Sequence, residues 1–220
     1  MGTITRALAN NITTGGVVSA SGISNTSVSA VTSLPSGCDV GDFFLISEQT
    51  ASASASLSFT SGLDSTYDAY CFKFINIHPA TDGTAFHFNG STDGGSNYNV
   101  TKTSSFFQAY HSESDSVTSL GYGPSEDLAQ STSYQILFND LGNASDENGS
   151  GELWLFNPSS TTYVKHFMGT SNRTNLNDIS INTYYGGYFN TTSAIDAIDF
   201  KMASGNIDAG TIKLFGVKKT

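Results

Sequence analysis

Along this chain the apolar residues fall in short groups set apart by clusters of Gly, Asn, Asp, Ser and Pro, the spacing of strands joined by turns. The segment Ala53-Ser54-Ala55-Ser56-Leu57-Ser58-Phe59 alternates apolar and polar residues, so a strand there places Ala53, Ala55, Leu57 and Phe59 on one buried face. Phe43-Phe44-Leu45-Ile46 opens the series. Tyr70-Cys71-Phe72-Lys73-Phe74-Ile75-Asn76-Ile77 is apolar on parts of both faces, as a central strand is, and Pro79 ends it because proline cannot donate to a ladder. Further strands are expected over Thr84 to Phe88, Ser105 to Tyr110, Tyr134 to Phe138, Glu152 to Phe156, Tyr163 to Met168 and Gly187 to Phe189. Near the end, Ile198, Phe200 and Met202 share a face, and after Gly205-Asn206 the run Thr211 to Val217 returns as a strand that packs into the body. No long window carries a 3.6-residue period, so helix should be scarce. These signals predict an all-β fold, a jelly-roll-like antiparallel β-sandwich over residues 38–220.

The first 37 residues follow a different pattern. Single aliphatic residues, Ile4, Leu8, Ile12, Val17, Val18, Ile23, Val28, Val31 and Leu34, are spaced by Ser, Thr, Asn and Gly with neither a helical nor a strand period. Such a segment reads as an extended N-terminal arm, residues 1–37, whose anchors dock one at a time on a partner that supplies the burial.

Composition sharpens this picture. The 15 Phe and 10 Tyr supply the large apolar areas that a core needs, while only 13% of residues are charged, so the surface polarity comes from Ser, Thr, Asn and Gly. A formal charge of -10 disfavours phosphate backbones and anionic lipid, which argues against nucleic acid or a membrane as partner. Neither a signal-type apolar run at the start nor a membrane-length apolar stretch is visible. Arg6 occupies the position where a myristoylation signal starting at Gly2 wants Ser or Thr.

Candidate chemistry is sparse. No nucleophile elbow, phosphate loop, zinc constellation or EF-hand spacing occurs, and no cofactor is called for. Carboxylates cluster at Glu113 with Asp115, Glu126 with Asp127 and Asp146 with Glu147, yet neighbours in a loop do not establish the separation that glycoside hydrolysis requires. With Trp154 as the single tryptophan, a sugar-stacking catalytic groove has little support, although tyrosines could substitute. The segment from Asn139 to Gly149 is dense in oxygen ligands, and it reads equally well as an Asn/Asp-rich turn. His87 sits in an apolar strand as a packing residue, and Cys38 and Cys71 read as buried thiols, a disulfide between them being the alternative. Gly169 to Gly187 could form an exposed loop presenting Tyr184 and Tyr185 to a partner or a sugar, or the same rings could be core.

Four segments carry a resemblance. The opening Ile4-Thr5-Arg6-Ala7-Leu8-Ala9-Asn10-Asn11-Ile12-Thr13 resembles the leader of virion structural proteins from marine and cyanobacterial tailed bacteriophages. Ile77-His78-Pro79-Ala80-Thr81-Asp82, Phe156-Asn157-Pro158-Ser159-Ser160-Thr161-Thr162 and Ser204 to Leu214 are similar to body segments of the same proteins. The resemblance implies a virion role without deciding which part of the virion and carries no functional residues to transfer, while the lack of catalytic groups in the sequence points to a non-enzymatic protein. The expectation is a trimeric capsid decoration or cement protein whose arm binds the major capsid protein or a sister subunit. The alternative is a tail fibre or tail-tip module that recognises host surface glycan.

Overall fold

Side-chain alternation and turn chemistry produce strands almost throughout the computed structural model, which describes residues 43–217. In chain order these are β1 (Phe43–Thr50), β2 (Leu57–Phe59), β3 (Ala69–Pro79), β4 (Thr84–Ser91), β5 (Lys102–Ser112) and β6 (Thr118–Tyr122). They continue with β7 (Gln135–Leu141), β8 (Gly149–Phe156), β9 (Lys165–Asn175), β10 (Ile179–Phe189), β11 (Ala197–Met202) and β12 (Ile207–Val217). The fold is all-β, and no helix occurs among the described residues.

All strand pairings are antiparallel. A long run goes β1-β12-β3-β8-β9-β10-β5-β6, and a shorter one goes β7-β4-β11-β2. The two are joined at Leu141 and Asn175, so the network curls until it nearly closes as a barrel. Phenylalanines fill the space enclosed. Phe200 of β11 has the rings of Phe72 and Phe74 of β3 at 5.1 and 5.3 Å and that of Phe59 at 6.0 Å. Phe88 of β4 meets Phe167 of β9 edge-on at 5.2 Å. Each such side chain contributes roughly 2–3 kcal/mol by burial. Ile198, Phe200 and Met202 face inward together, as their spacing predicts.

Under β9, β10 and β5 the interior turns polar. Arg173 is 1% exposed, and its guanidinium donates to Thr183 Oγ1 at 2.8 Å, to Asn139 Oδ1 and to Gln108 Oε1 at 3.4 Å. Its Nε has no partner. Ser104 Oγ donates to Gln135 Oε1 at 2.5 Å, and the Gln135 amide donates to the carbonyls of Glu126 and Ile136. Lys102 is equally buried, donating to Asn89 Oδ1 at 2.6 Å and the Val100 carbonyl at 2.8 Å. Burial pushes its ammonium down to about 7.

Two expectations change. Ala53 and Ala55 are exposed, and only Leu57–Phe59 of that alternating segment pairs as a strand. Ala53 takes a left-handed φ of 49°, and the neighbouring bridge from Ser54 to Ile207 redirects the chain, because alanine methyls bury too little area to hold the register. The segment from Gly169 to Gly187 is a long hairpin of β9 and β10. Asn175 Oδ1 accepts from the backbone N–H groups of Asn177 and Ile179 at 3.0 and 3.1 Å, and Asp178 supplies the positive φ of 56° that closes the turn. The hairpin lacks a simple apolar alternation because Ser171, Arg173 and Thr183 occupy inward positions.

Candidate functional site

The outward face of the long run carries an apolar relief that the short run does not cover. Period-two alternation sends Leu153 and Leu155 of β8 into the core and leaves Glu152, Trp154 and Phe156 outside. On β9, Trp154 stands opposite Met168 and Glu152 opposite Thr170. On β10, Thr170 stands opposite Tyr184, which in turn faces Phe107 of β5 and, beyond it, Tyr122 of β6. Met168, Tyr184 and Phe107 are 55%, 43% and 43% exposed.

Small residues at the centre turn this relief into a trough. Thr170 lies between Glu152 of β8 and Tyr184, and Gly186 pairs with Met168, whereas Gly169, whose missing side chain would point inward against the Tyr185 ring, offers the trough backbone alone. The cavity so formed, about 460 Å³, is lined by Glu152, Trp154, Phe156, Met168, Thr170 and Tyr184 together with Gly169. β8 and β10 flank β9, so the opposing backbones stand two strand spacings apart, ~10 Å. The rings of Tyr184 and Phe107 are 5.0 Å apart and 11° from parallel. That separation matches the ~4.8 Å between neighbouring strands, so the rings stack across the strands and the second face of Tyr184 looks over β9 into the trough.

The opposite wall is braced from behind. Phe43 meets Trp154 edge-on at 5.7 Å and Phe215 at 6.0 Å, and Phe156 lies 6.4 Å from Trp154 with its plane 12° from parallel. The indole N–H donates to Glu152 Oε1 at 2.9 Å, and Lys73 Nζ pairs with Oε2 of the same carboxylate. Burial opposes ionisation of Glu152, but the hydrogen bonds from Lys73 and Trp154 outweigh it and hold the carboxyl below its ordinary value. An ammonium and a carboxylate thus sit side by side at the end of an aromatic channel.

No family model, curated protein or solved structure matches this chain.

The residues singled out in the sequence fare differently. Tyr184 lines the trough, whereas Tyr185 points inward, 3% exposed, its hydroxyl donating to the Glu152 carbonyl at 2.7 Å. Alternation along β10 makes these neighbours opposite in role, so Tyr185 is not presented to a partner. The anchors Ile4, Leu8, Ile12, Val17, Val18, Ile23, Val28 and Val31 lie outside the described residues, as do Leu34 and Cys38. Cys71 is a buried free thiol, pushed up to about 12 by burial. His87 is drawn below its ordinary value, chiefly by burial, and packs 5.0 Å from Tyr134.

Acidic residues are engaged locally. Glu126 Oε1 accepts from Asn139 at 3.1 Å, Asp127 Oδ2 from the Tyr122 hydroxyl at 2.5 Å, and Asp115 Oδ1 lies 2.9 Å from His111 Nε2. In the segment 139–149, Asn139, Asp140 and Leu141 belong to β7, and Glu147 Oε2 accepts from the Ala144 N–H at 2.7 Å. Among the described residues no group of three or more metal-type ligands converges. Trp154 is what sequence reasoning underrated. Glu152-Leu153-Trp154-Leu155-Phe156 is apolar on both faces of one strand, and that double pattern was the available signal.

Proposed function

We propose that this chain is a non-enzymatic structural protein of a tailed-bacteriophage particle and that its body is a jelly-roll sandwich. The strand pairs β1·β12, β2·β11, β3·β8 and β4·β7 carry the reading. Each joins an early strand to a late one, so the chain runs as a wound ribbon with β1-β12-β3-β8 in one layer and β2-β11-β4-β7 in the other. On this reading β5-β6 is an insertion at the ribbon's tip, and β9-β10 one in its returning arm. In the particle the body acts as a decoration or cement subunit, a homotrimer held to the major capsid protein or to sister subunits by the N-terminal arm. Quantitative mass spectrometry of purified particles tests this assignment. A copy number near that of the major capsid protein, or a simple fraction of it, is expected, and absence from particles overturns it.

The trough favours a second reading, in which the body is a tail-fibre or tail-tip module that binds host surface glycan. Aromatic faces beside a carboxylate and an ammonium make a binding surface. A copy number of a few per cent, with binding of the purified chain to host cells, is the expected outcome here. Shell-like abundance without cell binding excludes it.

A further inference from the structure

We propose that the trough over β9 binds a neutral pyranose ring, inserted between Tyr184 on one wall and Trp154 with Phe156 on the other. The inference rests on the glycan-binding reading above and specifies its ligand. A pyranose presents apolar C–H faces and a rim of hydroxyls. The inward face of Tyr184, fixed by its stack on Phe107, supplies a flat surface for one such face. Trp154, held between Phe43 and Phe156 and tied through its N–H to Glu152, supplies the opposing apolar surface.

The rim meets polar groups at one end only. Glu152 accepts and Lys73 donates within one ion pair, and Thr170 adds a hydroxyl on the floor. Paired donor and acceptor match adjacent sugar hydroxyls, each of which is both. An anionic sugar is disfavoured because the carboxylate is part of the wall and the chain carries a formal charge of -10. An entirely apolar occupant, such as a second copy's apolar face, would leave that ion pair without replacement for its water.

Trp154 is the single tryptophan of the full chain, so its fluorescence reports on the trough directly. The test titrates the full-length protein with neutral oligosaccharides of glucose, galactose, mannose and N-acetylglucosamine, and with sialyllactose as the anionic probe. A saturable change with at least one neutral sugar is expected, weakened at least tenfold by Tyr184→Ala and by Glu152→Gln. Tyr184→Phe, which keeps the stack on Phe107, should retain binding, and Tyr163→Ala, at an exposed tyrosine outside the trough, should leave it unchanged. No response to any neutral sugar overturns the proposal, as does unchanged affinity in Tyr184→Ala or tighter binding of sialyllactose. Dissociation of an oligomer by Tyr184→Ala, seen by sedimentation, also overturns it and makes the trough a subunit contact. Host-cell binding that survives both substitutions removes this site but keeps the receptor reading; sugar binding by a protein that ignores host cells does the reverse.

Discussion

The interior has two halves built on different physics. Between β3 and the strands β4 and β11 it is centred on phenylalanine, and Phe200 lies within 6.3 Å of five other rings, those of Phe59, Phe72, Phe74, Phe86 and Phe88. Beneath β9, β10 and β5 it adds to Phe106, Phe167 and Phe189 the polar side chains of Arg173, Lys102 and Gln135, each engaged by neutral oxygen acceptors. The first half is stabilised by area and shape, which tolerate no void. In the second, few alternative registers would satisfy the same donors, so the polar network fixes how the long hairpin pairs while adding less to stability.

The largest expected effect tests the aromatic half. Phe200→Ala should cost about 4 kcal/mol in urea unfolding, since it opens a cavity where five rings meet. A loss under about 2 kcal/mol would mean that the rings collapse into the space and the half is less rigid than its packing implies. Arg173→Met keeps much of the volume but strips a donor from Thr183 and Asn139, and should cost about 2 kcal/mol. A neutral or stabilising result would erase the distinction between network and ballast.

A subtler contrast lies in pH. The unfolded chain keeps the Lys102 proton to near 10.5, whereas the fold releases it near 7. Below about 7 both states are charged and the desolvation cost is present in full. Between those values the unfolded state holds the extra proton, so stability rises with pH, by at most about 1.4 kcal/mol per unit from this group. The urea midpoint of the wild type relative to that of Lys102→Met, measured from pH 7 to 9, should therefore rise with pH. A flat difference would mean that the ammonium stays charged in the fold. Smallest of all, in a Cys38→Ser background Cys71 should resist a thiol reagent until the protein unfolds, because burial both hides the thiol and disfavours its thiolate.

Much of the aromatic half was legible in the chain, since Phe72, Phe74, Phe86, Phe88 and Phe200 fall in runs whose period and turn flanks declare strands. The polar half was not. Thr170 to Thr174 and Asn182 to Thr183 look like loop because their inward positions hold Ser171, Arg173 and Thr183, which only cross-strand partners make compatible with burial. β6 escaped notice because Thr118–Tyr122 is exposed at every position and buries no stripe. The trough shares this difficulty. Its walls come from residues 152–156 and 184 and its floor from 168–170, and no spacing along one strand reveals what pairing sets side by side.

The position of β12 bears on how the molecule is made. It is the last described strand to be synthesised, yet it lies between β1 and β3, bonded to both. Until it emerges, β1 has no pairing partner among the described strands and the longest sheet ends at the open edge of β3. Completing this end of the sheet therefore joins residues far apart along the chain, a search over distant contacts that belongs to the slow end of small-domain kinetics, milliseconds to seconds. During that interval the aromatic strands are unshielded, and the nascent protein is a natural client for chaperones.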